Sequence, residues 1–229
     1  MAERMKPLVP LAVAVGVLAF LYVWIALNFS FHWVTSGDLG NGLDLPSNFH
    51  LVVPAGFVAW AMFFAAGADN AALRKVMIAN VFGVVLAFLM IVLVKAMADL
   101  PDFWGIAAWV GVAAFVLVLL GALGDAYFTP AGFGAFASVV FWWLATGLDG
   151  WAAAGGGVGN SVKALGDPAT AGAGAFGGVI STPYGWVAFN VLVTLTIGVL
   201  LGALSVRLAA AITPKEKPVA ARGGAQPAA

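Results

Sequence analysis

Pro54-Ala55-Gly56-Phe57-Val58-Ala59-Trp60 returns as Pro130-Ala131-Gly132-Phe133-Gly134-Ala135-Phe136, and each copy opens an apolar stretch. Upstream, Val15-Gly16-Val17-Leu18-Ala19-Phe20 returns as Val110-Gly111-Val112-Ala113-Ala114-Phe115, and downstream Asn80-Val81 is echoed by Asn190-Val191. The halves read as related. Each contains three membrane-length apolar segments, an odd number, so the second half must enter a bilayer from the side opposite to the first. That is an inverted repeat, the plan of many channels and transporters.

The composition names the solvent. With 63% hydrophobic residues, 9% charged and a mean hydropathy of +1.03, the chain cannot cover a globule with polar surface, and lipid must cover it instead. A formal net charge of zero gives no sign of nucleic acid as a partner. Cysteine is absent, which removes disulfides, thiolate metal sites and a cysteine nucleophile together.

Six spans are expected, near residues 8–27, 50–66, 76–97, 104–123, 131–147 and 186–211, each long enough to approach the roughly 30 Å of a hydrocarbon core. The first follows Arg4 and Lys6 as a signal peptide would, but it is long, lacks a small-residue cleavage site and has a counterpart in the fourth, so it is expected to be retained. If the N-terminus is cytoplasmic, Arg4, Lys6, Arg74, Lys75, Arg207, Lys215, Lys217 and Arg222 fall inside, leaving Lys95 and Lys163 on the other face. The expected fold is therefore an all-α integral membrane protein, six transmembrane helices in an inverted 3+3 repeat with both termini cytoplasmic. Residues 1–103 form the first repeat, 104–211 the second, and 212–229, rich in Pro, Ala and Lys, a disordered tail. The long connections, 28–49 and 148–185, fall on the outer face, where they form a vestibule, lid or docking surface or are plain linkers. The inner connections, 67–75 and 124–130, are short.

The repeated motif has two readings. Pro54 and Pro130 open helices without costing a hydrogen bond, Gly56 and Gly132 let another backbone approach, and Phe57, Trp60, Phe133 and Phe136 add bulk beside the thin region. These residues either line two half-sites of a solute path or serve helix packing. Asn80 and Asn190 are the best individual polar candidates, because an amide in hydrocarbon needs a partner or water. Thr194 and Thr196 carry less weight, since a helical Thr satisfies itself on the preceding turn. Asp125, before Thr129-Pro130 at the inner mouth, reads as a solvated loop residue, with a gating or proton-linked role as the alternative. Lys95 and Asp99 read as a pair or a snorkelling lysine at a helix end. No charge falls at mid-membrane, which argues against a proton relay or a strongly charged substrate.

His32 and His50, the two histidines, both fall toward the outer connections; they are weak metal candidates, because their spacing to Asp38 and Asp44 matches no compact ligand motif. Trp142-Trp143 is expected to pack against lipid, with pore lining or an oligomer contact as the alternative. Catalytic constellations are missing: there are no paired carboxylates within a span, no metal-spaced His/Glu set and no phosphate loop, so neither an enzyme nor a cofactor is expected.

The chain resembles the DUF1097 family of small bacterial inner-membrane proteins. The resemblance rests on Pro54-Ala55-Gly56-Phe57-Val58-Ala59-Trp60 continuing to Phe63-Phe64-Ala65-Ala66-Gly67, on Ala79-Asn80-Val81-Phe82-Gly83 and on Pro130-Ala131-Gly132-Phe133. It covers the middle two-thirds of the chain, and the long outer connections depart from it. It implies a multi-span protein of the bacterial inner membrane and carries no catalytic residues. The expected function is a channel or facilitator for a small neutral or weakly charged solute; the alternative is a non-catalytic accessory or anchoring subunit of a larger membrane complex. Expected partners are the bilayer and either further copies of the chain or other membrane subunits.

Overall fold

In the computed structural model, residues 5–30, 49–97, 104–145 and 183–214 are described below. They are mostly helical, without a strand among them. A 3-10 turn, Lys6–Leu8, leads into α1 (Val9–Asn28); α2 (Val53–Ala65) and α3 (Asn70–Val94) follow. Then come α4 (Trp104–Leu119), extended by the 3-10 turn Leu120–Ala126, α5 (Thr129–Ala145) and α6 (Tyr184–Ile212). Residues 1–4, 31–48, 98–103, 146–182 and the tail beyond 214 lie outside the described set. With them go the outer-loop expectations, His32 and the Lys95–Asp99 pair.

Four stretches are long and apolar enough to cross a membrane: Lys6–Asn28, Asn70–Val94, Trp104–Ala126 and Tyr184–Ile212. The helices that carry the repeated motif are shorter, 13 residues for α2 and 17 for α5. At 1.5 Å per residue α2 reaches only about 20 Å, less than a hydrocarbon core.

The α2–α3 connection is tighter than the sequence suggests, and its geometry explains why. Gly67 adopts φ +119° and Ala68 φ 59°, the left-handed region where glycine has no steric cost. The Gly67 amide donates to the Phe64 carbonyl at 3.1 Å and the Ala68 amide to the Phe63 carbonyl at 3.0 Å, the pair of hydrogen bonds that closes a helix C-terminus. Asp69 then caps α3 by accepting the Ala72 amide at 2.6 Å. The helix begins at Asn70, so Arg74 and Lys75 stand within its first two turns rather than in a loop ending at residue 75.

The halves interlock. α2 lies along α6, and α3 along α5; α3 and α6 also touch, as do α2 and α5. The outer pair is arranged alike, α1 on α6 and α4 on α3. Large apolar side chains on α1 (Val13, Val17, Phe20, Trp24) and α4 (Val112, Phe115, Val118) remain exposed, as expected of helices whose outer faces meet lipid.

Burial repeats with the motif. When Pro54 is aligned with Pro130, Ala55, Gly56, Ala59, Trp60 and Phe63 fall on Ala131, Gly132, Ala135, Phe136 and Val139, all buried. When Val15 is aligned with Val110, Leu18 and Tyr22 fall on Ala113 and Leu117, again all buried. For α3 and α6 the matching register pairs Gly83 with Gly198, which puts Val76, Ala79 and Ala87 on Val191, Thr194 and Gly202. In that register Asn80 is aligned with Leu195 and Asn190 with Lys75. The Asn-Val echo therefore marks no equivalent position; what recurs is the small residue that admits a neighbouring backbone.

Trp142 and Trp143 correct a second expectation. They are 2% and 0% exposed, in the core rather than against lipid. Adjacent helical residues point about 100° apart, so both can be buried only on a helix with neighbours on more than one side, and α5 has α3, α2 and α6.

Candidate functional site at the helix crossings

At the closest approaches in the core, helix meets helix backbone. A Cβ on Gly83 would strike the Gly132 carbonyl oxygen and come within 2.8 Å of Ala135 Cβ; a Cβ on Gly198 would strike the Gly56 carbonyl oxygen and lie 2.9 Å from Gly56 Cα. Each motif glycine is covered on its own face by a tyrosine hydroxyl, Gly56 by Tyr22 and Gly132 by Tyr127. The two tyrosines arrive differently, Tyr22 from α1 and Tyr127 from the extended residue before α5, where Leu117 takes the place equivalent to Tyr22. Gly56 and Gly132 thus sit inside three-layer contacts in which neither a methyl group nor a passing solute has room.

The motif's larger residues divide between core and surface. Phe57 is half-exposed, edge-on to Tyr22 at 5.6 Å and stacked on Trp60 at 6.0 Å. Trp60 is buried and its Nε1 donates to Ser205 Oγ at 3.3 Å, while Ser205 donates to the Gly202 carbonyl at 2.7 Å. Phe136 is buried; Phe133, Pro54 and Pro130 are exposed. A groove of about 330 Å³ separates α2 from α5 beside Val52, Pro54, Val58, Gly134, Ser138 and Phe141; it is apolar and includes neither asparagine.

Asn80 stands apart. It is 2% exposed, and neither its Nδ2 nor its Oδ1 has a hydrogen-bond partner. It lies ten residues past the start of α3, roughly 15 Å along the helix and near its midpoint. One turn farther on is Gly83, at the crossing with Gly132, and the Phe82 ring meets the Tyr127 ring edge-on at 6.1 Å. The Tyr127 hydroxyl, buried over Gly132, likewise lacks a partner. Three unpaired polar atoms therefore gather within about a turn of one glycine crossing. Asn190 is fully buried on α6, where its carbonyl accepts the Thr194 hydroxyl at 2.7 Å. Thr196 also bonds back, to Leu192 at 2.9 Å, and Asp125 is exposed.

Sequence reasoning missed Tyr127, Ser30 and the second role of Thr194, whose Oγ1 also accepts the Val52 amide at 3.0 Å. No local pattern marks them, because each is brought in by a partner distant in the chain. Among the described residues no group of three His, Asp or Glu side chains is placed to hold a metal.

The class defined by these features is an all-helical protein with membrane-length apolar helices and an apolar outer face. A family model described as a protein of unknown function, DUF1097, matches residues 12–210, and the chain belongs to that family. Neither a curated protein nor a solved structure matches.

Proposed function

We propose that the protein is a membrane facilitator for a small neutral solute, built as six spans in an inverted 3+3 repeat with cytoplasmic termini in a bacterial inner membrane. Asn80 carries this reading. An amide buried in an apolar bundle without a partner is costly, on the order of 1–3 kcal/mol, and a structural role would have given it one. A solute or water passing the α3–α5 crossing supplies the missing bonds, with the Tyr127 hydroxyl as the second contact. The pairing of α2 with α6 and of α5 with α3 supports the inverted plan, because it sets equivalent crossings on opposite sides of the bundle. The crossings are closed by glycine packing, so passage requires Tyr127 and the adjoining helices to shift.

The test is Asn80→Leu in proteoliposomes. Because no protein hydrogen bond is lost, the variant keeps or gains thermal stability, and flux of small neutral solutes falls to the lipid background. A large loss of stability with flux unchanged would assign Asn80 to packing. A parent that passes none of a panel of water, glycerol, urea and acetamide would overturn the facilitator in favour of a non-catalytic accessory subunit.

A further inference from the structure

Residues 49–52 are neither helical nor exposed. They run down α6: Phe49 meets Phe189 at 5.7 Å, and the Val52 amide reaches Thr194, ten residues past the start of that helix. Non-helical backbone at such depth is tolerated only inside protein or beside water, with its polar groups satisfied. Here side chains satisfy them. The Leu51 amide donates to Ser30 Oγ at 2.9 Å and the Val52 amide to Thr194 Oγ1 at 3.0 Å, and both hydroxyl residues are buried. Immediately before these fixed points lies His50, 4% exposed. One side of its imidazole is hydrogen-bonded to the backbone of Ser30, and Nδ1 has no partner. A neutral imidazole that donates through one nitrogen presents a lone pair at the other. Three chain segments, the turn that follows α1, the extended stretch and α6, thus hold one acceptor in place, and no described residue fills it.

We infer that Ser30, residues 49–52 and Thr194 form a binding site for a small neutral molecule bearing an N–H or O–H donor, which His50 Nδ1 accepts. The site deepens the facilitator reading and rests on it only for the direction in which the bound molecule goes. It selects for donors: an amide with free N–H groups binds and its N,N-dialkylated analogue does not. Hydrogen-bonding sites reject analogues lacking the donor because their buried polar group is then left unpaired.

The experiment uses the full chain in lipid nanodiscs, labelled with 15N-histidine, in a His32→Gln background so that His50 is the sole histidine. Its Nδ1 resonance should be that of an unprotonated nitrogen. It should move saturably with acetamide and stay fixed with N,N-dimethylacetamide at the same concentrations. A protonated Nδ1, no response to acetamide, or equal responses to both probes would overturn the site. Acetamide flux is measured alongside, and His50→Gln should lower it roughly fivefold, about one neutral hydrogen bond. A saturable shift without flux in the parent keeps the site and discards the facilitator; flux with a silent resonance does the reverse.

Discussion

Glycine at the crossings and glycine at the periphery are chemically identical and should behave oppositely. Gly83→Ala pushes a methyl group into the Gly132 carbonyl and Gly198→Ala pushes one into Gly56, and backbone on both sides cannot rotate away. Each change is expected to cost about 1–3 kcal/mol by overpacking, read as a lower midpoint of thermal unfolding in detergent. Gly16 and Gly111 occupy equivalent places on α1 and α4 with nothing within 4 Å of an added Cβ. Alanine there should be neutral or stabilising by about 0.5–1 kcal/mol, since it removes unfolded-chain freedom and favours helix. Equal gains at all four positions would mean that helix propensity, not backbone contact, is being measured.

The short element that joins α2 to α3 is closed by backbone and side-chain hydrogen bonds, and its parts can be tested separately. Asp69→Ala removes the acceptor for the Ala72 amide and should lower stability by about 1 kcal/mol, while Asp69→Asn, which keeps a capping oxygen, should not. Ala68→Gly should raise stability, because Ala68 holds a positive φ that glycine adopts freely. At this scale the sequence was legible where hydrophobic run length and helix-stop chemistry decide the outcome: among the described residues an α-helix stands near each of the six expected segments, four of them long enough to cross a membrane. It misled where a boundary depends on a cap, placing the third helix six residues late and hence Asn80 near an end instead of the middle. The candidate site was half legible. Asn80 is conspicuous as an amide in an apolar run, whereas Tyr127, Ser30 and Thr194 matter only through segments brought to them by folding. Trp142 and Trp143 look like lipid-facing aromatics until α5 is found at the centre.

For the whole molecule, the inverted plan makes a topological prediction that the absence of native cysteine keeps clean. Single cysteines at Asp69 and Thr213 should react with an impermeant maleimide only after the membrane is opened, and those at Ser36 and Ser161 without opening. Labelling of Asp69 from outside would invert the first half and with it the repeat. The interlocking of the halves bears on another matter, the order in which the protein is made. α1 is packed chiefly on α6, the last of the described helices to leave the ribosome. Translation at roughly 5–20 residues per second leaves α1 in the bilayer for on the order of 10–30 s before its partner exists. During that wait Tyr22 has no glycine beneath it until α2 arrives, and the other buried side chains on the inward face of α1 meet lipid. A chain released before residue 184 never closes that face, and its first helix stays unpacked.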